Sequence, residues 1–162
     1  MQKVFMKKTV YLDTTVLSYL FDKRESLMSL TELTRRWWKT QRRGYRLYLS
    51  AETLAELGDG DYGHKTQSLK EASSIEILRR TDIIETIAKV YVDNLLMPKK
   101  VEGDAIHLAY ASVYKMDFLL TWNCNHLANA NKKQHIRIIN TNLGLSVPEI
   151  ITPMELFKED IS

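Results

Sequence analysis

Residues 9–20 of this 162-residue chain read TVYLDTTVLSYL, and this stretch decides the fold class. The run from Thr9 to Leu12 is β-branched, aromatic and aliphatic, which is typical of a buried strand. It ends at Asp13, and a helical pattern of apolar residues begins directly after it. A strand buried on both faces belongs to a parallel sheet, and open α/β sheets bind ligands at the carboxyl ends of their strands. Asp13 is therefore a candidate site residue, although Asp is also a common helix N-cap.

The rest of the chain repeats this alternation of strand and helix. Further strands are predicted at residues 45–49, 118–121 and 136–139, with 75–78 as either a short strand or an extended linker. Helices are predicted at residues 14–21, 26–43, 51–57, 63–72, 82–96 and 103–114, with a short helical segment at 126–130 and a terminal helix opening at the capping box 152–155. This pattern predicts a single α/β domain over residues 1–162, with a parallel sheet covered on both faces.

Composition excludes several classes of protein. No apolar run approaches the roughly 20 residues that span a bilayer, and the basic segment 1–8 is not followed by a signal-peptide core. The single cysteine, Cys124, cannot form an internal disulfide, which is typical of a reducing compartment. We therefore expect a cytoplasmic protein with no membrane association.

Positive charge is concentrated between residues 35 and 46. This segment has no acid, and it contains Arg35, Arg36, Lys39, Arg42, Arg43 and Arg46. Trp37 and Trp38 lie inside it, and a basic surface with aromatic residues suits a phosphate backbone and exposed bases. The alternative is a solvated helix surface with one tryptophan turned into the core. In the first case, the candidate substrate contacts are Arg35, Arg36, Arg42 and Arg43.

Three acids and one asparagine fall where the chain topology can bring them together. Asp13 follows the first strand, and Glu56 lies in the helix after the second. Asp104 begins a helix, and Asn123 follows the strand predicted at 118–121. Right-handed crossovers place the carboxyl ends of parallel strands at one edge of the sheet. Carboxylates in one cleft require protons or cations, and Mg²⁺ and Mn²⁺ prefer oxygen ligands. The grouping suits a phosphodiesterase site, although each residue has a structural alternative as a cap or a solvent-facing side chain.

Four segments of the chain together resemble the PIN-domain family, and more narrowly the VapC-like toxins of toxin–antitoxin pairs. They read YLDT at 11–14, SAETLAEL at 50–57, GDAIHLA at 103–109 and LTWN at 120–123. The matches are in the family's order and spacing over essentially the whole chain. The resemblance implies a three-layer α/β/α PIN-like domain with a central, mainly parallel sheet. It also implies a homodimeric, Mg²⁺- or Mn²⁺-dependent endoribonuclease of RNA that a cognate antitoxin protein holds inactive.

The resemblance also assigns roles to individual residues. Asp13, Glu56 and Asp104 match the metal-binding acids, and with Asn123 they form the implied catalytic set. The family often has a further acid near the position of Asn123. A carboxamide oxygen can orient a metal-bound water, but it carries no charge and cannot act as a base. One metal ion is therefore better supported than two.

Other candidates are weaker, and other functions stay open. Asn125 and His126 are candidates for contacting a substrate phosphate. His107 lies three residues after Asp104 on the same helix face, but a structural role is expected because magnesium favours oxygen ligands. One alternative function is a non-catalytic nucleic-acid-binding or regulatory module on the same scaffold. Another is a structural partner protein whose main surface is the basic segment 35–46.

Overall fold

The structure, a computed structural model, describes residues 6–60, 62–94, 101–123, 127 and 130–158. Within these residues one sheet contains the strands β1 (Lys8–Leu12), β2 (Tyr45–Ser50), β3 (Glu76–Leu78), β4 (Phe118–Leu120) and β5 (Glu149–Ile151). All neighbouring pairs are parallel, in the order β3-β2-β1-β4-β5. The predicted parallel sheet is confirmed, and β1 is its central strand.

Helices connect the strands and cover the sheet. They are α1 (Thr14–Tyr19), α2 (Met28–Thr40), α3 (Ala51–Gly58), α4 (Lys65–Ala72), α5 (Asp82–Asp93), α6 (Ile106–Val113) and α7 (Ala130–Asn142). A π-helical turn, Val101–Ala105, leads into α6, and 3-10 turns flank α2 at Glu25–Leu27 and Arg42–Gly44. The predicted terminal helix is only a 3-10 turn, Pro153–Glu155, within the described range. No helix among the described residues is long and apolar enough to cross a bilayer.

Two separate apolar cores form because side chains of β1 alternate between the faces of the sheet. On one face, Tyr11 packs with residues of α5, α6 and α7, among them the fully buried Leu108. On the other face, Val10 and Leu12 pack with Trp37 of α2. Burial of one such large apolar side chain contributes about 1.5–3 kcal/mol. The two cores give the three-layer α/β/α architecture that the sequence predicts.

The tryptophans of the basic segment belong to the core. Trp37 is fully buried, and its indole Nε1 donates to the backbone oxygen of Leu156 at 2.9 Å. Trp38 is 7% exposed, and its Nε1 donates to Glu71 Oε1 at 2.7 Å. The alternative of a solvated helix surface with tryptophan turned inward is therefore correct for these two side chains.

The strand predicted at 136–139 is wrong, because this segment lies within helix α7. Ile136, Ile139 and Asn140 are buried, whereas Arg137 and Ile138 are exposed, which is the spacing of one helix face. The β-branched residues favoured a strand, but a short apolar run is compatible with the helical period as well as with the alternation of a strand. The strand that completes the sheet is β5, which pairs with β4. The segment predicted as a short helix at 126–130 lies mostly outside the described residues.

We predict that Asn140→Ala destabilises the protein, because Asn140 ties α7 to the core. Its Oδ1 accepts from the Tyr91 hydroxyl at 2.6 Å, and its Nδ2 donates to Ser112 Oγ and to the Ser146 carbonyl, both at 2.9 Å. Losing these partners should lower the free energy of unfolding in urea by about 1–3 kcal/mol. Asn142→Ala, at an exposed position of the same helix, should change it by under about 0.5 kcal/mol. Equal losses in the two variants would contradict the assignment.

Candidate functional site

Asp13 lies directly after the central strand and caps helix α1. Its Oδ1 accepts hydrogen bonds from the backbone N–H of Thr15 at 3.0 Å and from Thr15 Oγ1 at 2.5 Å. Its Oδ2 accepts from Thr121 Oγ1, just beyond β4, at 2.5 Å. The residue is only 2% exposed. The two interpretations of Asp13 therefore do not exclude each other, since the capping carboxylate also lies where β1 and β4 end.

The environment of Asp13 opposes its ionisation. Burial raises the pKa of the Asp13 carboxyl. The positive charge of His107 and the hydrogen bonds from Thr121 and Thr15 lower it, but they do not offset burial. The charge of Asp104 raises it further, so Asp13 and Asp104 lie near enough to interact. A further cation bound next to Asp13 would stabilise the ionised form of this carboxyl.

Glu56 of α3 reaches the same region and pairs with His107 of α6. His107 Nε2 and Glu56 Oε1 are 2.9 Å apart, and the Thr14 hydroxyl donates to Glu56 Oε2. Burial raises the pKa of Glu56, but the hydrogen bond and charge of His107 and the Thr14 bond outweigh it, so that the pKa is lowered. The Glu56 side chain remains 38% exposed and so faces both His107 and solvent.

His107, for which the sequence favours a structural role, lies among these acids. It is 2% exposed, and its Nδ1 lies 2.6 Å from the Tyr11 hydroxyl, which in turn lies 2.7 Å from Ser50 Oγ. Burial lowers the pKa of His107, but its hydrogen bond to Glu56 and the charges of Glu56, Asp13 and Asp104 raise it by more. The charged form of His107 is therefore favoured, and its positive charge would lie among the acids. Its position one turn after Asp104 was the available signal.

Asp104 is held by Asn123. The Asn123 amide nitrogen lies 3.0 Å from Oδ1 and 2.9 Å from Oδ2 of Asp104, and it donates to both oxygens. Asp104 belongs to the π-helical turn before α6, whereas Asn123 follows β4. The contact thus joins the turn before α6 to the segment after β4. Asn123 acts here as a donor to a carboxylate, a role that a further acid at this position would not supply.

The donor atoms suit a hard divalent cation. Among the described residues, no three Asp, Glu, His or Cys side chains are grouped so that they could hold a metal ion together. Mg²⁺, however, usually binds through one or two carboxylates and keeps several waters. Asp13 and Asp104 offer such a pair of oxygen donors, and Glu56 is engaged by His107 and Thr14. Their chemistry fits such a cation, which Asp13 and Asp104 would hold.

A groove adjoins Glu56 on the surface. It has a volume of about 590 Å³ and is lined by Ala51, Glu52, Ala55, Glu56, Gly58, Asp59 and Arg80. Glu52 is not part of the acid cluster, because its carboxylate pairs with the Arg80 guanidinium. The groove gives an extended ligand a route along α3 to Glu56.

The structure does not gather the predicted substrate-binding arginines around these acids. Arg35 Nε donates to the Leu20 carbonyl at 2.6 Å, and the Arg36 guanidinium lies 5.9 Å from the centre of the Phe157 ring. Arg42 and Arg43 lie in the turn just before β2, at the opposite end of that strand from Ser50 and α3. Asn125 and His126 lie outside the described residues.

We predict that Asp13→Asn raises the free energy of unfolding at pH 7 when metal is chelated with EDTA. The folded-state pKa of Asp13 lies above its unfolded value, so stability falls as pH rises through the folded pKa. The neutral amide avoids this loss, and the advantage should be smaller at pH 4, because protonation of Asp13 increases in both states as the pH falls. Urea unfolding at the two pH values measures the difference. An Asn variant that is less stable at pH 7 than at pH 4, relative to wild type, would contradict it.

Comparison with known proteins gives a likeness in structure. No family model and no curated protein sequence matches the chain. A toxin–antitoxin complex from Klebsiella pneumoniae aligns with a TM-score of 0.56 and 20% identity over 76% of this chain and 93% of that chain. VapBC-1 from nontypeable Haemophilus influenzae aligns at 0.52 and 16% over 90% and 98%. VapBC2 from Rickettsia felis, bound to a promoter DNA fragment, aligns at 0.50 and 15% over 89% and 98%. At these identities the likeness is one of fold, and the chain has the VapC-like PIN fold that its sequence motifs predict.

Proposed function

We propose that the protein is a metal-dependent endoribonuclease that hydrolyses RNA phosphodiester bonds. The observation that carries this proposal is the set of contacts around His107, whose Nε2 lies 2.9 Å from Glu56 Oε1 and whose pKa the charges of Asp13 and Asp104 also raise. Asp13 is buried, and its raised pKa marks a carboxyl held in an unfavourable environment for its charge. Perturbed acids in a cluster at the ligand-binding edge of an α/β sheet favour a catalytic site.

Asp13 and Asp104 would bind Mg²⁺ or Mn²⁺ directly, and Glu56 would bind it through water. The bound ion would lower the pKa of a water and neutralise phosphoryl oxygens. The hydroxyls of Thr15 and Thr121 fix the Asp13 carboxylate, and the Asn123 amide fixes Asp104. His107 holds Glu56 and balances part of the negative charge. Such supporting partners commonly change metal affinity or activity by about 10–100-fold when they are removed.

The fold neighbours lead us to propose a toxin role and a protein partner. The three similar structures are a toxin–antitoxin complex and two VapBC assemblies. A cognate antitoxin would bind this chain and suppress its activity. A homodimer is proposed on the family resemblance, and light scattering of the purified protein tests it.

A second candidate function is a non-catalytic nucleic-acid-binding module, and Asn123 favours it. The amide contributes no charge and donates to Asp104, so the site has one acid fewer than the family often has. Divalent ions separate the two functions. A binding module holds RNA equally well with EDTA or with Mn²⁺ and leaves it intact, whereas the nuclease cleaves it only with the metal.

We predict that Asp13→Asn and Asp104→Asn each lower Mn²⁺-dependent cleavage of single-stranded RNA at least about 100-fold, the upper end of the effect of losing an outer partner of a metal. Initial rates on a labelled oligonucleotide measure the loss. Asp59→Asn is the matched control, since Asp59 is an exposed acid of the adjoining groove, and it should cost less than about threefold. Wild-type protein that leaves RNA intact with both Mg²⁺ and Mn²⁺ would refute the proposal, as would full activity in Asp13→Asn.

Thermal melting tests the metal ligands without an activity assay. At about ten times its dissociation constant, Mn²⁺ should raise the Tm of the wild type by about 3–6 °C. Asp104→Asn should abolish this shift. Asn123→Asp should lower the Tm in EDTA, because it places a carboxylate against Asp104, and should enlarge the shift with Mn²⁺. An unchanged shift in Asp104→Asn would exclude that residue as a ligand.

A further inference from the structure

Positive charge gathers at the end of the sheet opposite the acids. Because all strands are parallel, their first residues share one edge, called here the amino edge, which comprises Lys8, Tyr45, Glu76, Phe118 and Glu149. Lys8 and Tyr45 are direct neighbours in the register of β1 and β2. The exposed or half-exposed cations around this edge are Lys7, Lys8, Arg42, Arg43, Arg46 and Lys158.

Two recesses meet at Tyr45 and make the amino edge concave. The first, of about 420 Å³, has Arg42, Arg43 and Arg46 in its lining. The second, of about 440 Å³, is lined by Lys7, Lys8, Lys158, Phe118 and neighbouring residues. Adjacent strands are about 4.8 Å apart. Because both recesses include Tyr45 of β2, and the second also includes Lys8 of β1 and Phe118 of β4, together they form one surface across these strands, called here the track.

Aromatic rings lie between these cations. Lys158 Nζ lies 5.7 Å from the centre of the Tyr45 ring, and Lys8 Nζ lies 5.6 Å from that of Phe118. The Tyr45 and Phe118 rings meet edge to face at 6.2 Å, and both residues are half-buried. Cations alternating with partly accessible rings are the surface on which single-stranded nucleic acids bind, through phosphates and through base stacking.

Acidic residues offset part of this charge. Glu76 lines the first recess, and the exposed Glu149 lies at the same edge as the first residue of β5. Asp117 lies nearby, but its Oδ2 accepts from the backbone N–H of Thr9 at 2.9 Å and from the Thr9 hydroxyl at 3.2 Å. Arg42 is partly compensated, because its guanidinium is 3.3 Å from Glu71 Oε1. The net potential of the track is therefore positive and comes mainly from Arg43, Arg46 and the lysines.

The amino edge is separate from the candidate active site. β1 extends from Lys8 to Leu12, and Asp13 follows. Five steps of about 3.3 Å put roughly 16 Å between Lys8 and Asp13. This separation is too long for direct contact between the amino-edge cations and the acids, so the two surfaces are separate.

We propose that the amino edge is a second nucleic-acid surface, which binds the phosphate backbone of single-stranded RNA without a divalent ion. It requires no nuclease activity and does not depend on the function proposed above. The Tyr45 ring already stacks on the buried Trp37 ring at 5.9 Å, so Phe118 is the ring on which a base would stack. An acidic peptide would use the cations alone, which is why we favour RNA.

Fluorescence anisotropy with a labelled 20-nucleotide oligouridylate in EDTA tests this surface, since no cleavage occurs under that condition. The triple variant Lys8→Gln, Arg43→Gln, Arg46→Gln should weaken binding at least tenfold. Its slope of log K against log salt should become shallower by about 2, because each lost phosphate contact contributes about 0.7. The matched control removes two exposed cations elsewhere, Lys89→Gln and Arg137→Gln, and should change binding less than twofold.

The other possible results of the anisotropy experiment also decide on the proposal. Unchanged binding by the triple variant, or an equal loss in the control, would overturn the proposal. If a polyglutamate of equal charge competes as well as the RNA, the choice of RNA is overturned and an acidic protein is the expected partner. The assay is run in EDTA and scores binding alone, so a failure of the nuclease proposal leaves this result intact. If the triple variant melts well below the wild type, Arg43→Gln alone should still weaken binding at least twofold.

Discussion

The buried carboxylate of Asp13 is the constraint on which the rest of this structure depends. A buried charge is costly unless it is paired and hydrogen-bonded. Three donors reduce that cost: the N–H and hydroxyl of Thr15, which fix the start of α1, and the hydroxyl of Thr121, which follows β4. The bonds that satisfy one carboxylate therefore also join the central strand to its helix and to its neighbour. The same hydrogen bonds therefore position β1 against α1 and β4 and hold the Asp13 carboxylate in the candidate site.

The site carries more negative charge than a stable fold requires. Asp104 raises the pKa of Asp13, and His107 offsets only part of this repulsion. A cluster selected for stability alone would replace one acid with an apolar or amide side chain. Keeping these acids together costs stability and is typical of sites that bind a cation or a reacting group. Asn123 eases the repulsion, because its amide nitrogen bridges both oxygens of Asp104.

Much of this arrangement was predictable from sequence, because β1, Asp13, Glu56 and Asp104 follow from strand ends and helix starts on a parallel sheet. His107 was not, because its role depends on Glu56, 51 residues away, and no local pattern indicates that pairing. The segment 136–139 was misassigned because its β-branched residues are compatible with both the strand period and the helical period. In the structure, Ile136, Ile139 and Asn140 are buried at helical spacing.

The basic segment 35–46 was misleading for a different reason. It is continuous in sequence, but the turn before β2 carries its second half to the amino edge, away from the acids. Charge that is clustered in sequence need not serve the nearest predicted site. The fold thus separates an acidic carboxyl edge from a basic amino edge by the length of its central strand.

Paramagnetic broadening by Mn²⁺ in ¹H–¹⁵N NMR spectra tests the proposed metal site at Asp13 and Asp104 most directly, because it requires neither substrate nor activity. At substoichiometric Mn²⁺, the amide signals of Asp13, Asp104 and His107 should broaden first. Those of Lys8 and Arg46 at the amino edge should persist. Broadening centred instead on Glu52 and Asp59 of the adjoining groove, or none near Asp13, would contradict a metal site at the carboxyl edge.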